Sequence, residues 1–224
     1  MLDGIKRKKS VIQLVIGYAG AMSLLFVVQL FNSYILMSLP LIARMVCMVT
    51  ENWLVALVPL IIMIAAKDKL RDYGFNREKV GLQIVVGLGV GIVMSAVLTV
   101  VPILAGLKDW VNNGKQYEFL WQYIFEFVYC IIGVALMEEY VFRGFIFTKL
   151  KAVSDSNVLA VIVSSVMFGL FHIFGGNPVQ VIVTGFIGAV FCVCRVKIKN
   201  CTVLSLVAAH GVYDALITVW GDLL

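Results

Sequence analysis

The chain of 224 residues is 62% hydrophobic and only 14% charged, with a mean hydropathy of +1.00. That composition excludes a soluble single domain, and apolar runs beyond about 18 residues read as an all-α polytopic membrane protein. The net charge is +5, but in such a chain the placement of the basic residues says more than their sum; no nucleic-acid partner is expected.

Lys6-Arg7-Lys8-Lys9 precedes an apolar run from about Val11 to Leu39. The basic start and Ala19-Gly20-Ala21 resemble a secretory signal with its cleavage site. The run continues well beyond that point, so a retained first span is expected. A second span covers Asn52 to Ala66, beginning near Met45, and a densely charged loop follows from Lys67 to Lys79. Val80 to Leu104 is the third span. Gly87, Gly89 and Gly91 lie inside it, without the strand and helix context of a phosphate loop; Gly87 and Gly91 predict close helix packing. Lys108 to Gly114 reads as a polar loop. A fourth helix runs from Gln116 through Glu138 toward Leu150, and a fifth covers Asn157 to Phe174. Gly175-Gly176-Asn177-Pro178 predicts a tight turn. Val179 to Cys194 is the sixth span, with Gly185 and Ala189 as a second small-residue contact. Thr202 to Trp220 is the seventh. The whole of 1–224 reads as one membrane domain, a bundle of about seven to eight transmembrane helices.

Lysine and arginine placement sets an orientation. Alternate segments (the N-terminus, 67–79, 149–156 and 195–199) hold fourteen of these residues, against three (Arg44, Lys108, Lys115) on the other side. By the positive-inside rule the N-terminus is cytoplasmic. The five cysteines (Cys47, Cys130, Cys192, Cys194, Cys201) form no CxxC and no metal-ligand spacing, so no disulfide framework is expected.

Within the apolar runs, Leu136-Met137-Glu138-Glu139-Tyr140-Val141-Phe142-Arg143 stands out. Each ionisable group at membrane depth costs about 2.5–3.5 kcal/mol, so such groups are generally paired and functional. Glu139 and Arg143 are four apart, in the favourable order for an ion pair on one helix face. Glu138 lies about 100° round the helix and stays free for chemistry. The two histidines, His172 and His210, also lie in apolar runs, and His210 shares a face with Asp214. Taken singly, each His could be only an interhelical hydrogen-bond donor. Polar groups on three separate helices predict one intramembrane catalytic cavity. At 1.5 Å per residue, His210 lies roughly 12 Å past Thr202, Glu138 roughly 12 Å in from Ile146, and His172 roughly 21 Å in from Asn157. All three depths are counted from the basic side, so a cavity opening on the cytoplasmic face is expected.

Other intramembrane proteases are excluded by motif. HExxH is absent, and no serine has a GxSxG-like setting, Ser164-Ser165 included. Tyr213-Asp214 resembles the YD dipeptide of intramembrane aspartyl proteases, but the partner GxGD is missing. By contrast, Glu138-Glu139-xxx-Arg143, Phe168-xxx-His172 and His210-xxx-Asp214, in this order and on separate helices, resemble the three signature motifs of the CPBP family of CAAX proteases and bacteriocin-processing enzymes, also called Abi. The resemblance covers about 118–221. Many members have Asn where this chain has Asp214. The basic loop ending in Tyr73-Gly74-Phe75 is similar to the family's loop before its third conserved helix.

The resemblance implies an intramembrane endopeptidase acting on a membrane-associated peptide or protein. If the source is bacterial, peptide maturation or bacteriocin self-immunity is the expected setting. Glu138 with His172 would activate water, and His210 with Asp214 would stabilise the oxyanion. Glu139, Arg143 and Phe168 would support them. Zinc on Glu138, Glu139, His172 and His210 is the alternative. A mechanism without a cofactor is favoured, because Arg143 competes for Glu139 and puts positive charge beside any metal. A non-catalytic immunity or scaffold protein binding a partner in the same cavity is the second function class. A transporter would show repeats or broken helices, and the sequence shows neither.

Overall fold

The structure, a computed structural model, describes residues 2–111, 114–175 and 177–224. Among the described residues, seven helices are long and apolar enough to cross a membrane: α1 Gly4–Ser38, α2 Leu41–Ala65, α3 Val80–Leu104, α4 Leu120–Ser154, α5 Asn157–Gly175, α6 Pro178–Lys197 and α7 Val203–Leu223. No strand is present among the described residues.

α7 is the centre of the bundle. Its most apolar window is 67% buried, against 22–33% for the other six, whose outer faces are left for lipid. A reciprocal cap starts it: Ser205 N donates to Thr202 Oγ1, and Thr202 N donates to Ser205 Oγ, satisfying backbone donors that a helix start leaves open. α5 starts on Ser156, whose Oγ accepts from Leu159 N, and α6 on Asn177, whose Oδ1 accepts from Val179 N, with Pro178 in the first turn. These caps fix where α5 and α6 begin.

The glycines of α3 pack as expected. α3 runs parallel to α7, and a Cβ on Gly87 would collide with the Ser205 carbonyl oxygen, while one on Gly91 would lie 2.5 Å from that of Ala209. Gly185 on α6 similarly faces Gly169 on α5. A Gly91→Val variant should therefore lose about 1–3 kcal/mol through forced overpacking. Gly89, with nothing within 4 Å of a built Cβ, should accept alanine unchanged. Thermal unfolding of both variants in one detergent checks this; equal midpoints would mean that α3 and α7 part freely.

Several boundaries differ from expectation. α2 begins at Leu41 rather than near Met45, and a 3₁₀ stretch, Glu51–Ala56, interrupts it. The basic N-terminal residues are already helical. α4 starts at Leu120, not Gln116, and runs to Ser154. Its regular winding breaks twice, into π-helical turns at Tyr129–Ala135 and Glu139–Ile146, which composition does not signal. In the loop expected at Lys108–Gly114, Lys108–Val111 forms a short helix; Asn112 and Asn113, and Gly176 of the predicted turn, lie outside the described residues.

The charged loop 67–79 is more ordered than its composition suggests. Tyr73 is 1% exposed and stacks on Phe145 at 5.9 Å, with its hydroxyl donating to Asp68 Oδ2 at 2.7 Å. Burial, and then that carboxylate, hold the Tyr73 phenol well above its ordinary pKa. Lys149 closes the cluster on Asp68 at 3.3 Å.

Candidate active site

The site is built where α4, α5 and α7 meet. Glu139 and Arg143 are both fully buried, with Arg143 Nη1 2.9 Å from Glu139 Oε1. The predicted pair therefore forms even though these residues lie in a π-helical turn. Arg143 also lies under aromatic rings: its guanidinium carbon is 4.1 Å from the Phe168 ring centroid and 5.3 Å from that of Phe191. These faces attract the cation where water cannot. Space for it comes from Gly188 on α6, where a Cβ would meet Phe168 at 2.9 Å and Arg143 Nη2 at 3.3 Å.

Glu139 has a second partner that the sequence does not announce. Its Oε1 also lies 2.8 Å from His210 Nδ1, 71 positions along the chain. With Glu139 ionised against Arg143, Nδ1 donates, and the other ring nitrogen is turned to the opposite side. There His210 Nε2 is 3.2 Å from Asp214 Oδ2 and 3.8 Å from Glu138 Oε2. Glu139 and Asp214 thus hold opposite edges of one imidazole, and Glu138 faces the Asp214 edge without a hydrogen bond to it.

His172 is set by the end of its helix. The regular α-helix stops at Phe171, and the His172 backbone N–H donates to Gly169 and Leu170 instead of Phe168. The Phe168 carbonyl is left for the side chain, and His172 Nδ1 lies 3.0 Å from it. A carbonyl only accepts, so Nδ1 carries the proton and Nε2 remains the ring's acceptor. Phe168 joins the two histidines, its ring 4.9 Å from that of His172 and 6.2 Å from that of His210.

Glu138, His172, His210 and Asp214 line one cavity of about 630 Å³. A second, of about 160 Å³, shares Glu138 and His172. Every residue expected at the site is therefore in or beside one cluster. Glu139 and Arg143 lie behind the cavity wall, and Phe168 is part of the wall. Phe191, 5.2 Å from the His210 ring, and Gly188 were not foreseen. Each is ordinary in an apolar helix, and only the fold gives it a role.

The expected direction of the cavity is wrong. Its wall continues through Leu98 and Thr99 late in α3, Trp110 after it, Val179 and Val183 early in α6, and Ile217 late in α7. All of these lie toward the end of the bundle opposite the basic loops. Toward the basic end the cluster is sealed by Tyr73, Phe142, Phe145, Ile146 and Leu206, each at most 1% exposed. Counting depth from one side hid this: His172 ends its helix, far from the basic face.

Fold and site together define a polytopic membrane protein with a carboxylate–imidazole cavity inside its bundle. Residues 120–216 match the family model described as Rce1-like, type II CAAX prenyl endopeptidase Rce1-like, in agreement with the resemblance carried by the three motifs. The match contains Glu138, His172, His210 and Asp214. No curated protein sequence and no solved structure matches the chain.

Proposed function

We propose that the protein is an intramembrane endopeptidase that hydrolyses a peptide bond of a membrane-associated peptide or protein, using water activated by Glu138. The family of segment 120–216 supports a CAAX-type intramembrane protease in general. The observation that carries the reading is the unequal use of two adjacent carboxylates. Glu139 is fully buried and gripped by Arg143 and His210. Glu138 stands at the cavity wall, and its Oε2 accepts no hydrogen bond from the protein.

In this mechanism Glu138 accepts a proton from water as the water oxygen attacks the peptide carbonyl carbon. His172, with Nε2 as its acceptor nitrogen, shares in holding that water. The developing oxyanion is met by His210 Nε2–H, and Asp214 and Glu139 hold that ring in orientation. Collapse of the tetrahedral intermediate breaks the C–N bond, and the proton held by Glu138 passes to the leaving amine. Arg143 acts through Glu139 as a positioning residue.

A zinc site on Glu138, Glu139, His172 and His210 would have to include Glu139, which is fully buried and whose Oε1 is held by Arg143 and by the Nδ1 edge of His210, the edge turned away from Glu138. Among the described residues no group of three or more His, Cys, Asp or Glu is arranged to hold a metal ion. The residues present do not fit that ligand set, so the mechanism routes no step through a metal.

The test is cleavage by purified protein of membrane peptides that accumulate uncut in cells carrying Glu138→Gln. Cleavage should survive a chelator that reaches the cavity, on a sample whose metal content is measured. Stoichiometric zinc with chelator-sensitive, zinc-restored cleavage would overturn the metal-free mechanism. Absence of any cleaved peptide would overturn the peptidase itself.

A further inference from the structure

The direction of the cavity has a consequence for what can reach it. The cluster is closed toward the basic loops by the buried layer of Tyr73, Phe142, Phe145, Ile146 and Leu206. It opens past Thr99, Trp110, Val179 and Val183, at the end that holds only Arg44, Lys108 and Lys115 of the chain's 18 lysines and arginines. Fourteen of the others flank the sealed end, and Arg143 lies inside the bundle. Short basic loops stay on the cytoplasmic side. The sealed end therefore faces the cytoplasm and the open end faces away from it.

The chemistry of the wall narrows the ligand. Apart from Glu138, His172, His210 and Asp214, the described residues lining the cavity are uncharged; the polar ones include Thr99, Asn177, Gln180 and Thr184. A charged side chain lying along the rest of the wall, beyond those four residues, would find no counter-ion there and would lose its hydration. An extended, uncharged backbone could bond to the amides and hydroxyls.

We propose that the substrate is a translocated segment: a peptide or membrane-protein stretch, uncharged around its scissile bond, presented from the non-cytoplasmic side or the outer half of the bilayer. This rests on the peptidase reading and adds the side from which the bond arrives. Water adds across that bond, giving a new carboxylate and a new amine, and both product ends leave away from the cytoplasm. Chains that remain in the cytoplasm do not reach Glu138.

Two measurements test this separately. The first is labelling of single-cysteine additions in intact cells with a membrane-impermeant maleimide, with the wild-type chain as background for its native thiols. Val179→Cys at the cavity mouth and, as a second reporter, Trp110→Cys, which is 78% exposed, should label from outside. Lys69→Cys in the basic loop should label only in inverted vesicles. Mouth positions reached only in inverted vesicles would overturn the proposal whatever the enzyme cleaves. The second compares new N-termini in cells carrying the wild type or Glu138→Gln. Termini lost in the variant should fall in segments beyond the membrane. Termini lost from cytoplasmic segments would overturn the substrate class and leave the peptidase standing. No Glu138-dependent terminus would bring down the peptidase reading, and the substrate class with it.

Discussion

Glu138→Gln should reduce cleavage about 10³-fold, the middle of the range for removing a positioned general base, while leaving the protein folded. The isostere keeps the volume and removes the basic oxygen. Folding should hold because the protein places few demands on this carboxylate: no protein donor reaches Oε2, and His210 Nε2 is 3.8 Å away. The neighbouring change, Glu139→Gln, should behave differently. It weakens the bonds to Arg143 and His210 together, so activity and thermal stability should fall as one. Initial rates on the cognate peptide, alongside unfolding midpoints in the same detergent, separate the two. A Glu138→Gln enzyme retaining more than about a tenth of wild-type activity could not have lost its general base, and the assignment would fall.

Arg143→Met should cost about 3–5 kcal/mol of stability, the range for breaking a buried ion pair from one side. Glu139 is fully buried and would keep only the imidazole as partner. Methionine also gives up the cation's attraction to Phe168 and Phe191. Adding Glu139→Gln to Arg143→Met removes the stranded charge, and the double variant should recover part of the loss. Its activity should stay low, because His210 is then held by a neutral amide. Unfolding of the two single variants and the double one measures the coupling. Additive losses would mean that the pair, though 2.9 Å apart, contributes nothing jointly.

What could be read from the sequence was what depends on local spacing. Glu139 and Arg143, and His210 and Asp214, are four apart, and one helical turn brings each pair together. The glycines of α3 likewise announced a close helix neighbour, though not that it would be α7. What depends on long-range packing was hidden. The bond from Glu139 to His210 joins two helices in an order no spacing encodes. The proton on His172 follows from where a helix stops, because only the change of winding at Phe171 frees the Phe168 carbonyl. The composition of the charged loop is dominated by lysine, aspartate and arginine and does not signal that one tyrosine in it seals the basic-loop end of the site. The cavity's direction was misjudged because depth was measured from a single face.

The spans differ in length, from 19 to 35 residues. α1 and α4 each have 35 residues, whereas α5 has 19 and α6 has 20. At 1.5 Å per residue the long pair extends about 52 Å and the short pair about 29 Å, against a hydrocarbon thickness near 30 Å. The long helices can tilt or protrude to suit almost any bilayer. The short ones cannot, and they carry His172, Val179 and Val183. Longer lipid tails would draw the cavity's rim beneath the headgroups, and shorter tails would lift it toward water. Acyl-chain length thus acts on how a substrate gets in, while the buried bonds among Glu139, Arg143 and His210 are indifferent to it.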